Sequence, residues 1–157
     1  MNIFVLDNDI RKCAQYHCDQ HVVKMILESV QILCTALNKI GFITPYQSTH
    51  VHHPCVLWVE HSYGNFVWLA TLARELNCEY CYRFNKSVPH KSIAVLDEIE
   101  QKTYLYEDIG LTDFAQAMPE PYKVPGDVVQ AYRNFYIAEK LKFARWTKRH
   151  RPDWLQQ

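Results

Sequence analysis

Apolar residues recur at steps of three and four along much of the chain, which is the spacing of one face of an α-helix. The longest such pattern runs from Val22 to Ile40 and ends at Gly41. Before it, residues 1–7 form a short apolar run that leads into the helix-capping side chains of residues 7–9. We therefore predict a short extended N-terminus, then a capped helix start and a long amphipathic helix that ends near residue 40.

Three further helical patterns follow, over residues 54–84, 90–106 and 127–144. Pro54 suits the first position of a helix, because the N–H that proline lacks would have no partner there. Gly64 marks a joint within the first of these patterns, and Asp127 is placed to cap the last one.

The segments between these patterns contain helix breakers. Residues 42–53 include Pro45 and scattered polar residues, and residues 107–126 include three prolines and two glycines. No run of alternating apolar and polar residues indicates a strand. The sequence therefore predicts an all-α fold: a compact single-domain helical bundle over residues 1–157, with a long proline-rich loop and a short extended N-terminus.

The composition is that of an ordinary globular domain. The chain has 157 residues, 48% of them hydrophobic, which is enough for one core. No window approaches the ~20 consecutive apolar residues of a membrane span, and the first residues lack the pattern of a signal peptide. We expect a cytoplasmic protein with no membrane partner, in which the six cysteines are buried thiols rather than disulfides.

The charges are unevenly distributed, although 17 basic and 17 acidic residues give zero formal net charge. Residues 97–127 carry a net charge of −6, whereas residues 133–157 carry +5 and several aromatic rings. Cations beside stacking rings are typical of nucleic-acid contacts. The alternative is a last helix with lysines in solvent and aromatic rings in the core. The DNA-binding candidates are Lys142, Arg145, Trp146, Lys148, Arg149, Arg151 and Trp154.

A polar stripe follows the predicted long helix. His21, Lys24, Glu28 and Gln31 step by three, four and three residues opposite to the apolar face, and His17 extends the stripe backwards. Any amphipathic helix has a polar face, but apolar residues flank this one closely, so we expect partial burial and shifted titration. We interpret Glu28 as a general acid or base and His21 as a proton carrier or phosphate contact.

Other polar side chains are candidates for the same cleft. His50 and His53 come just before Pro54, and Asn65 lies near the start of the next helix, where it either lines the cleft or caps the helix. The cysteines and histidines of residues 13–21 have spacings that can hold a metal, but the paired spacing of zinc modules is absent. We therefore expect neither a metal nor a cofactor.

The start of the long helix resembles a known family. Asp19-Gln20-His21, with Glu28 on the same helix, is similar to the first helix of the phage pyrimidine-dimer DNA glycosylases of the endonuclease V type. The ending Arg151-Pro152-Asp153-Trp154 resembles the aromatic, basic C-terminal segment of that family. The chain also resembles a group of small uncharacterised proteins of phages and large viruses.

This resemblance implies a small all-α protein that acts on DNA. In that family a free N-terminal amine attacks the sugar C1′ of a damaged pyrimidine nucleotide and forms an imine, while the DNA is kinked and a base is turned out of the stack. A glutamate on the first helix supports this step and the strand cleavage that follows. Carried over to this chain, Glu28 matches that glutamate, His21 matches the neighbouring histidine, and Met1 or Asn2 matches the nucleophile.

Three functions follow, of which we favour the first. It is a DNA-acting enzyme of viral type in the host cytoplasm, a base-excising glycosylase and abasic-site lyase on a damaged or modified pyrimidine, with the N-terminal amine or Lys24 as nucleophile. The second is a transferase that modifies a pyrimidine base in viral DNA, because Leu27 and Gln31 stand where the family has arginines. The third is a non-catalytic nucleic-acid or protein-binding module with structural histidines.

Overall fold

The computed structural model describes residues 1–102 and 106–155. Within these ranges the regular structure is helical, without a strand, which confirms the predicted all-α fold. The described residues contain six α-helices and the short 3₁₀ turns Glu120–Tyr122 and Asp153–Leu155. The α-helices are α1 (Ile10–Tyr16), α2 (Asp19–Lys39), α3 (Pro54–His61), α4 (Tyr63–Phe84), α5 (Ser92–Glu100) and α6 (Val128–Glu139).

Helix α2 lies at the centre of the molecule and packs against α3, α4 and α5. Its residues Ile26, Leu33 and Leu37 are fully buried, and burying each such side chain contributes roughly 1.5–3 kcal/mol to stability. The helix that carries the polar stripe is therefore held rigidly by the core.

The starts of three helices match the capping patterns of the sequence. The Asp9 carboxylate accepts a 2.9 Å hydrogen bond from the Lys12 N–H at the start of α1. Asp127 does the same for the Gln130 N–H of α6, also at 2.9 Å. Pro54 opens α3 as predicted, with His53 as its cap.

The apolar N-terminal run is an extended segment buried in the core. Residues 3–6 are at most 4% exposed. The ring of Phe4 stacks on the ring of His21 with centroids 4.6 Å apart and meets Tyr132 and Tyr136 of α6 edge-on. This packing explains why the run is apolar, and it carries the first two residues to the polar face of α2.

The joint predicted at Gly64 lies two residues earlier, where Ser62 separates α3 from α4 and its hydroxyl accepts the Gly64 N–H at 3.2 Å. Gly64 has a different role, because the backbone of Gly110 packs directly against it. A β-carbon there would lie 2.5 Å from the carbonyl carbon of Gly110, so any side chain would displace that backbone segment.

The last helix is shorter than predicted. It ends at Glu139 instead of Ala144, because the chain turns away to contact the start of α2. There the Asp19 N–H donates a 2.8 Å hydrogen bond to the Arg145 carbonyl, and the Gln20 side chain donates to the Phe143 carbonyl at 3.1 Å.

Helix α5 covers the middle of the pattern predicted over residues 90–106, and part of the remainder lies outside the described residues. The structure describes residues 106–127 as irregular apart from the 3₁₀ turn. The single domain over residues 1–157 stays a prediction.

The cysteines are free, and Cys13, Cys18, Cys34 and Cys55 are buried as expected. The expectation was wrong for Cys78, which is exposed on α4. No group of three or more potential metal ligands occurs in the described ranges. Among the described helices, none combines the length and the apolar character that crossing a bilayer requires.

Candidate active site

The carboxylate of Glu28 is the centre of the polar stripe. The residue is 8% exposed, and its Oε2 accepts a 3.0 Å hydrogen bond from the backbone N–H of Asn2. The amino nitrogen of Met1 lies 3.5 Å from the same oxygen, and Lys24 Nζ lies 3.4 Å from Oε1. One nearly buried carboxylate is thus flanked by two primary amines.

Two cavities meet at this carboxylate, and both are lined by Met1 and Glu28. The larger, a cleft of about 500 Å³, continues along Gln31 and residues 45–50. The smaller, of about 190 Å³, is lined also by Asn2, Phe4, His21, Lys24, Met25, Phe135 and Lys140. Met1 and Glu28 therefore border both spaces.

His21 lines the smaller cavity, where it packs among aromatic rings. Burial, together with the charges of His17, Lys140 and Lys24, lowers its pKa to about 3. Its Nδ1 is buried without a hydrogen-bond partner in the described part of the chain. The imidazole is therefore neutral near pH 7, and its role as a proton carrier or phosphate contact stays a prediction.

His17 lies apart from both cavities. The helical structure is interrupted at His17 and Cys18, between α1 and α2. His17 therefore does not continue the stripe of α2. It is fully buried, its Nδ1 lies 2.7 Å from the Cys13 carbonyl, and burial lowers its pKa to about 4. The structure thus places His17 in the core behind the site.

The residues predicted beside the stripe divide into two groups. Gln31 and His50 line the larger cleft, and His53 caps α3 while lining an adjoining shallow groove of residues 48–53. Asn65 is fully buried elsewhere and borders neither cavity. Its side chain donates 2.7 Å hydrogen bonds to the Trp58 carbonyl and the Thr112 hydroxyl, so it joins α3, α4 and the loop that follows α5.

The cations of the C-terminal segment also fall into two groups. Lys142, Arg145 and Arg151 are exposed, and the described residues provide no ion pair for any of them. Arg149 instead donates a 2.7 Å hydrogen bond to Glu79, and Lys148 donates a 2.8 Å hydrogen bond to the Tyr82 carbonyl.

The two C-terminal tryptophans pack against the protein. Trp146 Nε1–H donates to the Tyr16 carbonyl at 2.9 Å. The Trp154 ring meets Tyr16 and Tyr136 edge-on, and the Arg133 guanidinium lies 5.3 Å from its centroid. Contact of these two rings with DNA stays a prediction.

A buried arginine of α4 fixes the start of α2, and the sequence reasoning missed it. Arg83 is 1% exposed and donates 2.8 Å hydrogen bonds to the carbonyls of Gln15 and His17. It also contacts Asp19 at 3.1 Å and Glu79 at 2.9 Å. In the sequence Arg83 is one of two arginines in the helical pattern of residues 54–84, and no local pattern distinguishes it from Arg74.

Phe135 and Lys140, which line the smaller cavity, were missed as well. From the sequence, Phe135 is predicted as a core position of the last helix, and Lys140 as one of the bases of the C-terminal segment within that helix. Their place at the site arises from the packing of α6 against the N-terminal segment, which local patterns do not encode.

Comparison with known proteins shows the family to which the chain belongs. The family model for pyrimidine dimer DNA glycosylase matches residues 1–92. The matched region contains helices α1 to α4 and the whole Met1, Lys24 and Glu28 cluster. Searches of curated proteins and of solved structures gave no significant match. Because the model covers more than half of the chain, the protein belongs to the pyrimidine dimer DNA glycosylase family.

Proposed function

We propose that this protein excises a damaged or modified pyrimidine from DNA and cleaves the abasic site, with the Met1 amine as nucleophile and Glu28 as acid and base. Membership of the family supports a DNA glycosylase activity. The assignment of the nucleophile and of the acid and base rests on one observation. The Met1 nitrogen and the Glu28 carboxylate lie 3.5 Å apart beside two open cavities.

The chemistry needs both groups. The lone pair of the amine bonds to C1′ while the bond from C1′ to the base breaks, and the departing base keeps the electron pair and gains a proton. Opening of the sugar ring at O4′ gives the imine, with Glu28 moving a proton from the amine to O4′. Loss of a C2′ proton then expels the 3′-phosphate, and water releases the Met1 amine.

Cations around the smaller cavity suit a phosphate backbone. Lys24, whose side chain is 65% exposed, and Lys140 both border this space. The exposed Lys142 and Arg145 follow Lys140 in the chain, so they extend the positive surface beyond it. Such contacts position the DNA without reading its sequence.

The direct test is strand cleavage on two duplexes, one carrying a pyrimidine dimer and one carrying an abasic site. We expect the protein to cleave both and the Glu28→Gln variant to lose activity by about 10²- to 10⁴-fold, the usual contribution of acid–base catalysis. Glu75→Gln is the matched control, since the one ion pair of Glu75 within the described residues is with the exposed Arg11, at 3.6 Å. Absence of cleavage on both duplexes would refute the proposal.

The transferase remains the second candidate. It is favoured by the larger cleft, which is lined by the neutral polar groups of Gln31, Ser48 and Thr49 rather than by arginines. Mass spectrometry of the nucleosides in the DNA of cells that express the protein would then detect a pyrimidine nucleoside of altered mass. Unchanged nucleosides would exclude this alternative. A viral origin and a cytoplasmic location stay predictions.

A further inference from the structure

The side chain of Asn2, next to the proposed nucleophile, is held at both polar atoms. Its Nδ2 donates a 3.0 Å hydrogen bond to the Ala117 carbonyl. Its Oδ1 accepts the Ile3 N–H at 2.8 Å and lies 3.3 Å from the Tyr132 hydroxyl. The carboxamide is thus fixed by parts of the chain far from the N-terminus.

Tyr132 of α6 organises the other side of this contact. The residue is fully buried, and its single hydroxyl hydrogen is shared between two acceptors, the Ala115 carbonyl at 2.9 Å and Asn2 Oδ1 at 3.3 Å. The hydroxyl oxygen accepts the Ala117 N–H at 3.2 Å. One hydroxyl therefore joins α6, the backbone of residues 115–117 and Asn2. We call this set, Asn2, Tyr132, Ala115 and Ala117, the Asn2 anchor.

The anchor determines where the Met1 amine lies. The first residues of a chain are ordinarily mobile unless something ties them down. Here the Asn2 side chain is tied to the anchor while the Asn2 N–H donates to Glu28 at 3.0 Å. Because the backbone N–H and the side chain of Asn2 are both held, Met1 has little freedom. Its amine therefore stays beside the Glu28 carboxylate.

We propose that Tyr132 and the Asn2 side chain are positioning residues that hold the Met1 amine for attack on C1′. This inference rests on the proposed function. Tyr132, Ala115 and Ala117 lie beyond residues 1–92, which match the family model, so the C-terminal part of the chain completes the site. Misplacing a reacting group by about 1 Å can slow a reaction by ~10²-fold, which sets the scale of the effect.

The test replaces Tyr132 by phenylalanine, which removes the hydroxyl and keeps the ring. We expect Tyr132→Phe to slow imine formation at saturating abasic DNA by ~10- to 100-fold while KM changes by less than about threefold. Trapping with borohydride measures that rate. Asn2→Leu removes the carboxamide without adding charge, and we expect a loss of similar size.

Tyr136→Phe is the matched control. Tyr136 lies one turn further along α6 and is equally buried, but its hydroxyl accepts the Cys18 N–H at 2.8 Å and makes no contact with Asn2. Like Tyr132→Phe, the control loses a buried hydrogen bond from a backbone N–H, so we expect it to lose stability too. We expect its imine rate to stay close to that of the wild type.

Hydrogen exchange at the N–H groups of Asn2 and Ile3 tests the anchor without DNA. We expect faster exchange in Tyr132→Phe than in Tyr136→Phe. Equal imine rates in Tyr132→Phe and the wild type, or equal slowing in both tyrosine variants, would overturn the positioning role. If the wild type forms no imine while the exchange difference is present, the anchor exists but the proposed function fails.

Discussion

The backbone N–H of Asn2 donates a 3.0 Å hydrogen bond to the Glu28 carboxylate, although 26 positions separate the two residues in the sequence. This contact fastens the extended N-terminus to the middle of α2. It places a primary amine and a carboxylate side by side at an opening in the surface. In the proposed function this amine is the nucleophile, and this carboxylate moves its proton.

The first prediction separates the two amines that flank Glu28. Lys24→Arg keeps a positive charge but removes the primary amine, so an enzyme that uses Met1 should retain its imine rate within about threefold. Lys24→Met should form the imine as well, with weaker DNA binding. Loss of the imine in Lys24→Arg would identify Lys24 as the nucleophile.

The second prediction concerns acid stability. Burial lowers the pKa of His21 to about 3 and that of His17 to about 4, from 6.5 in both cases. The unfolded chain therefore takes up these protons near pH 6.5 while the folded protein does not. The stabilisation by the two neutral rings is complete above pH 6.5 and is lost progressively as the pH falls, down to about 4 for His17 and about 3 for His21.

Urea unfolding at pH 7 and pH 5 measures this effect. Each histidine should lower the free energy of unfolding by about 1 to 2 kcal/mol between these values. His21→Gln should remove about half of the dependence. An equal free energy of unfolding at both pH values would contradict the neutral, buried state of the two rings.

The third prediction tests the basic surface through its salt dependence. If Lys142 and Arg145 contact phosphates, replacing both by alanine should lower the slope of log K against log salt by about 2. The double variant Lys102→Ala and Lys123→Ala removes the same charge. Its lysines pair with Glu98 at 2.9 Å and Glu120 at 2.5 Å, so the slope should stay that of the wild type. Equal slopes in all three proteins would show that Lys142 and Arg145 do not contact the DNA phosphates.

The part of the site on α2 was predictable from the sequence. Helical periodicity alone placed His21, Lys24, Glu28 and Gln31 on one face, and the structure finds each of them lining a cavity. The prediction was wrong for His17, which lies before the start of α2. No glycine or proline in the sequence marks the interruption between α1 and α2.

The rest of the site depends on contacts between distant parts of the chain. The sequence predicts Arg149 and Trp154 as DNA-binding groups. In the structure Arg149 pairs with Glu79, and the Trp154 ring packs against Tyr16. No local pattern in the sequence reveals such partners. Similarly, Tyr132 reads as a core residue of α6. Its role beside Asn2 becomes visible only when the N-terminal segment is packed against that helix.

The most direct measurement of the central claim is the position of the covalent adduct. Protein and abasic DNA are mixed with borohydride, and the trapped complex is digested and mapped by mass spectrometry. We predict that the deoxyribose remnant lies on the α-amino group of Met1 and that Glu28→Gln sharply lowers its yield. No adduct, or an adduct on Lys24 alone, would contradict the account.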